Sequence, residues 1–176
     1  MKNPDTIGSR RNGRMKTVEE SKYAKEAGEL FMEGYNCAQS VFLAFREFYD
    51  LDFETAARIS SSFGGGMGRL REVCGSVSGM FLAAGYIYGY DDPKDYEAKK
   101  EHYARIQELA EAFRKENGSI VCRELLGLKQ KKDDPEPSHR TKEYYKKRPC
   151  RKLIEMSAGI FHEYLEKNPV RTEKNA

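Results

Sequence analysis

FGGGMGRLREVCGSVSG, Phe63 to Gly79, is the stretch on which the reading of the whole chain turns. Its glycines would suit an anion-binding loop, a tight seam between helices, or a support for the cysteine it carries. A phosphate loop is the weakest of the three. GGGMG matches neither GxxxxGK[ST] nor GxGxxG, and no strand pattern precedes it. An apolar helical stretch follows as far as Tyr88, with little bulk at Gly75, Ser76, Ser78, Gly79, Ala83 and Ala84. Glycine in a helix interior costs about 1 kcal/mol relative to alanine, so a pair of them implies close approach of a neighbouring helix. Residues 71–88 are therefore expected to form the central, most buried helix of an all-α bundle, entered through the glycine-rich loop.

Helical periodicity continues on both sides. Thr17 to Glu33 places Tyr23, Ala27, Leu30 and Phe31 on one stripe, closed by Gly34. Cys37 to Tyr49 places Val41, Phe42, Phe45 and Phe48 on another, and Asp52 can cap a short helix from Phe53. Downstream, a long amphipathic helix runs to Asn117, with Pro93 in its first turn, Gly118 as its cap, and Tyr96, Tyr103, Ile106, Leu109, Ala110 and Phe113 on its apolar face. A short helix over 120–126, a polar proline-interrupted loop over 129–148 and a last amphipathic helix from Pro149 complete the chain. There is no alternating strand pattern and no internal repeat. The expected architecture is all-α, a single-domain helical bundle of about six or seven helices over residues 17–168. A disordered basic extension (1–16) is expected before it and a flexible tail (169–176) after it.

The chain has 176 residues and a formal net charge of +3, of which its first 16 residues carry +4, so the remainder is nearly neutral. Such a body lacks the clustered positive charge that a phosphate backbone requires, and nucleic acid is not an expected partner. No apolar segment of signal-peptide type follows the basic residues. The most apolar stretch, VSGMFLAAGYIYGY, falls short of the ~20 residues that cross a bilayer. A cytoplasmic protein without a membrane partner is expected.

Cys37, Cys74, Cys122 and Cys150 are the only cysteines, and no CxxC pair occurs among them. Four are too few for a disulfide-stapled scaffold, and in a reducing compartment cysteines more often serve redox chemistry or metal binding. Each falls near an expected helix start. Asn36 and Gln39 approximate a capping box, making Cys37 the first helical residue. Cys74 follows the glycine loop, Ser119 can cap a helix with Cys122 in its first turn, and Pro149 precedes Cys150. Unpaired N–H groups and the helix dipole favour a thiolate there. Arg71, Arg123, Arg148 and Arg151, close in sequence, would add to the effect. Cys37 and Cys74, in the sharpest motifs, are expected to lie nearest each other.

GYNCAQSV, FGGGMGRLREVCGSVSG, VCRELLG and RPCRKLI together resemble the redox-active family named for its C…GCAxxG…C…C pattern, over roughly Glu20 to Gly159. The central Cys-Gly-Ala-x-x-Gly reads Cys74-Gly75-Ser76-Val77-Ser78-Gly79, with serine in place of alanine. The resemblance implies that the four cysteines are the redox-active residues, but it fixes no reaction and does not say whether the protein is an enzyme. Three arrangements stay open. The thiolates could hold an iron–sulfur cluster and pass electrons to a partner protein. They could cycle as a dithiol and disulfide. All four could bind a structural zinc without turnover. In each case Gly64, Gly65, Gly66, Gly68 and Gly75 are expected to bring backbone N–H groups toward the bound group. His102, His139 and His162 read as surface or boundary residues, and the long helix could also support a homodimer.

Overall fold

The computed structural model describes Val18 and residues 20–170. The extension expected over 1–16 and the tail from 171 lie outside the described residues. Eight helices occur among the described residues: α1 (Lys22–Glu33), α2 (Cys37–Ala44), α3 (Phe53–Ser61), α4 (Gly75–Tyr88), α5 (Tyr96–Asn117), α6 (Cys122–Leu125), α7 (Lys142–Lys147) and α8 (Cys150–Lys167). A 3-10 turn over Arg46–Phe48 and a glycine turn over Gly64–Met67 lie between them. No strand occurs among the described residues beyond one isolated antiparallel bridge, Val73 to Val121. No described helix is long and apolar enough to cross a membrane.

The helix ends follow their sequence signals. The Ser21 hydroxyl accepts from the Ala24 amide at 3.2 Å to start α1, and Gly34, with φ +113°, ends it. Asn36 accepts from the amides of Ala38 and Gln39, while the Gln39 side chain accepts from the Asn36 amide at 3.0 Å. Asp52 caps α3 and Asp95 caps α5, whose far end is closed by Gly118. Pro93 thus precedes α5 rather than sitting in its first turn. The helix expected over 37–49 breaks at Phe45 into the 3-10 turn.

The central helix begins at Gly75 rather than near Arg71. Arg71 has φ +59°, which no helix tolerates, and the segment after it pairs sideways with residues 120–123. The Cys74 amide donates to the Ile120 carbonyl at 2.8 Å and the Cys122 amide to the Glu72 carbonyl at 2.6 Å. The polar loop expected over 129–148 contains α7, capped by Thr141. Its signal is weak because α7 buries no residue.

Val77, Met80, Ala83 and Ala84 of α4 are buried, as are Val41, Phe42 and Leu43 of α2 and Leu153, Ile154 and Phe161 of α8. The small residues of α4 do allow a close helix crossing. A methyl group on Gly79 would lie 2.6 Å from the Ala38 carbonyl oxygen and 3.0 Å from Val41 Cβ. Gly79→Ala is therefore expected to cost about 1–3 kcal/mol through overpacking. A thermal melt would show it as a Tm lower by roughly 2–12 °C. The long helix is less buried than its stripe implies. Leu109, Ala110 and Phe113 enter the core, whereas Tyr96 and Tyr103 are 73% and 55% exposed.

Candidate redox site

Cys37, Cys74, Cys122 and Cys150 line one cavity of about 210 Å³. Helix starts bring them there. Cys37, Cys122 and Cys150 are the first residues of α2, α6 and α8, and Cys74 is the N-cap of α4. All four are free thiols, three buried and Cys37 half-buried. A larger apolar cavity of about 650 Å³, walled by Phe42, Leu51, Phe63, Phe81 and Ile106, contains no cysteine.

Of the glycines expected at the site, Gly64, Gly65 and Gly75 line the cysteine cavity. The backbone N–H of Gly65 favours the Cys37 thiolate, against the larger opposing effects of Cys150 and burial. Gly66 and Gly68 do not line the cavity, and each has another task. Gly66 has φ +71°, and a Cβ there would fall 2.6 Å from Cys122 Cβ and 2.9 Å from Arg71 Cα. It lets three chain segments pass close together. Gly68 closes the glycine turn, its amide donating to the Gly64 carbonyl at 2.9 Å.

Cys37 and Cys150 interact electrostatically as a pair, and each acts on the other's titration. The neighbouring Cys150 sulfur raises the Cys37 pKa, and burial raises it further. The Cys37 thiol holds Cys150 below the ordinary thiol value, with the Arg148 charge helping. Burial pushes Cys74 up to about 12. Burial also raises Cys122, against the opposing pull of Arg71, whose Nη1 donates to its sulfur at 3.7 Å. The expectation that every helix start would favour a thiolate therefore holds only for Cys150. Removing a sulfur from water outweighs the local N–H groups at the other three. Alkylation of Cys150 is expected to switch on at lower pH than that of the other three cysteines. A pH series read by peptide mass spectrometry checks this, with Cys74 unreactive throughout.

Serine at position 76 has a structural consequence. Its hydroxyl lies 3.3 Å from the Cys74 sulfur and accepts a hydrogen bond from Ser157 at 3.0 Å. A polar chain thus reaches Cys74 from α8.

The arginines divide into two groups. Arg71 is 2% exposed; its Nε donates to Asp133 Oδ2 at 2.8 Å, and Arg69 Nη2 stands 3.4 Å from the same oxygen. Arg69, Arg71, Arg140 and Arg148 line the cavity. Arg123 and Arg151 do not; they pair with Glu72 and Glu155 at 3.0 and 2.8 Å. Asp133 and Arg140 belong to the segment read from sequence as a polar loop. That segment folds across the cysteines, with Pro137, Ser138 and Tyr144 joining Arg140 in the wall and Asp133 behind it. Sequence reasoning missed Arg69, Asp133 and Arg140, whose only signal was a high density of charge. None of the three histidines lines the cavity. His162 bonds to Ser21 at 2.9 Å, and His102 contacts Arg105 at 3.2 Å.

Among the described residues, no group of three or more His, Cys, Asp or Glu side chains is placed to hold a metal ion. The donor set has the chemistry of a four-thiolate centre but not the convergence.

A family model described as "Putative redox-active protein (C_GCAxxG_C_C)" matches residues 35–164, a span that includes all four cysteines. Comparison with curated proteins and with solved structures gave no match.

Proposed function

The chain belongs to the C_GCAxxG_C_C family of redox-active proteins, and we propose that Cys37 and Cys150 act as an exchanging dithiol. The observation that carries this reading is that the two sulfurs line one cavity and shift in opposite directions, Cys150 toward thiolate and Cys37 toward thiol. A reactive pair needs this asymmetry, because the thiolate is the nucleophile and the second thiol must wait its turn.

The partner is a molecule carrying a disulfide, either a protein or a small molecule. The Cys150 thiolate attacks one of its sulfurs, the partner's S–S bond breaks, and one partner thiolate leaves. The product is a mixed disulfide on Cys150. Cys37 then gives up its proton and attacks the Cys150 sulfur, displacing the second partner sulfur. In sum, Cys37–SH, Cys150–S⁻ and R–S–S–R give the Cys37–Cys150 disulfide, RSH and RS⁻. Two electrons pass from the pair to the partner, and a reducing compartment such as the cytoplasm returns the pair to its thiol form. Cys74 and Cys122, both held as thiols, lie beside this pair and react more slowly.

Anaerobic purification followed by an absorbance spectrum, metal analysis and thiol titration on one sample tests the reading. Colourless, metal-free protein with four titratable thiols, falling to two in excess hydroxyethyl disulfide, is the expected result. Brown protein with iron and acid-labile sulfide would replace the dithiol with a cluster. Stoichiometric zinc would replace it with a structural site.

A further inference from the structure

We propose that the cysteine cavity selects anionic substrates, small disulfides or thiols that carry a carboxylate. This names the substrate class of the dithiol reading and rests on it. The cavity wall includes Arg69, Arg71, Arg140 and Arg148 and no Asp or Glu. Asp133 pairs with both Arg69 and Arg71 from outside the wall. Arg140 and Arg148 have no ion-pair partner among the described residues.

Arg140 is the more telling of the two. Its guanidinium lies over Phe31 at 4.5 Å and over Tyr144 at 4.9 Å, and Nη2 donates to the Tyr35 carbonyl at 3.4 Å. Its Nη1 is buried and has no hydrogen-bond partner. Buried polar groups are almost always paired, and a charged donor left without an acceptor is costly. The ring faces fix the plane of the guanidinium but leave that N–H unanswered. A carboxylate would answer it, because the planar fork of arginine matches carboxylate geometry. Arg148, held 5.1 Å from the Tyr144 ring, adds a second cation on the same side. The two charges also act on the reacting sulfurs, Arg140 on Cys37 and Arg148 on Cys150.

Arginines that serve only to stabilise a thiolate would speed every electrophile alike. Arginines that recognise an anion would favour a charged electrophile over its neutral twin. Iodoacetate and iodoacetamide are such a pair, and the ratio of their rates cancels the thiolate population. The rates are measured at pH 7.5 on the full chain, native and unfolded in urea, by peptide mass spectrometry.

The native ratio is expected to exceed the unfolded one by about tenfold, a size typical of electrostatic focusing in a charged cleft. It should decline as salt rises from about 0.01 to 1 M. Arg140→Gln is expected to remove most of the preference and Arg140→Lys to keep part of it, with Arg148→Gln as a second variant should Arg140→Gln not fold. A native ratio equal to the unfolded one overturns the proposal. So does an equal fall in both rates in Arg140→Gln, or a failure of either reagent to label the folded chain. A high ratio in a protein that forms no Cys37–Cys150 bridge would sink the exchange chemistry and leave anion selection standing.

Discussion

Cys150→Ser is expected to abolish disulfide exchange, leaving only the rate of a buffer control, while Cys74→Ser retains most of it. The difference follows from where each sulfur sits. Cys150 opens α8, and the Cys37 thiol and the Arg148 charge both lower its pKa, so its charged form is the stabilised one. Burial holds the Cys74 thiol up at about 12, which leaves almost no thiolate at neutral pH. Cys37→Ala is expected to behave differently from both. The first attack still occurs, but nothing displaces the second partner sulfur, and the mixed disulfide accumulates on Cys150. With the Cys37 thiol gone, the Cys150 thiolate also loses stabilisation, and the midpoint of its alkylation should move to higher pH. Stopped-flow thiol release and intact-protein mass spectrometry distinguish the three variants. Comparable loss in Cys74→Ser and Cys150→Ser would mean that the nucleophile has been assigned to the wrong sulfur.

Arg71→Leu is expected to lower stability by about 3 kcal/mol, the scale of removing one partner from a buried ion pair. In a chain of this size that corresponds to a Tm lower by roughly 6–12 °C. The guanidinium ties together three segments: its own strained turn, Cys122 at the start of α6, and Asp133 in the segment across the cavity. The loss should depend on pH in a defined direction. Hydrogen bonding from Gln130, and then Arg71, holds the Asp133 carboxyl below its ordinary range. A carboxyl whose folded value is depressed contributes stability that is complete above its unfolded value of about 4, and that stability disappears as pH falls through the folded value. The gap between wild type and Arg71→Leu should thus be complete at neutral pH and narrow below about pH 4. Melts of both proteins at the two pH values check it. A gap that persists in acid would mean that Arg71 acts by packing rather than by charge.

Local chemistry explains what the sequence made legible. Asn36 with Gln39, Ser21, Asp52, Gly34 and Gly118 each satisfy or terminate a helix end through neighbours a few residues away. The close approach at Gly79 was legible too, because glycine inside an apolar helix costs stability unless a neighbour needs the space. The meeting of the four cysteines was foreshadowed by the family pattern. Pairing and charge state were not legible, since each depends on residues far apart in sequence. The Cys37 pKa is governed first by Cys150, a residue far away in the sequence. Arg71 finds Asp133 across 62 residues. The polar segment 129–148 reads as solvent-facing because its composition is charged, yet Ser138 and Arg140 line the cysteine cavity and Asp133 turns inward to Arg71. Helix α7 escaped notice for the related reason that a helix with no buried face leaves no apolar stripe.

Disulfide mapping tests the central assignment most directly. Anaerobically purified protein is oxidised with hydroxyethyl disulfide and unfolded in urea, the remaining thiols are alkylated with N-ethylmaleimide, and the digest is read by mass spectrometry. A single bridge joining Cys37 to Cys150, with Cys74 and Cys122 alkylated, is the expected result. A bridge from Cys37 to Cys74, or four alkylated cysteines after oxidation, contradicts it.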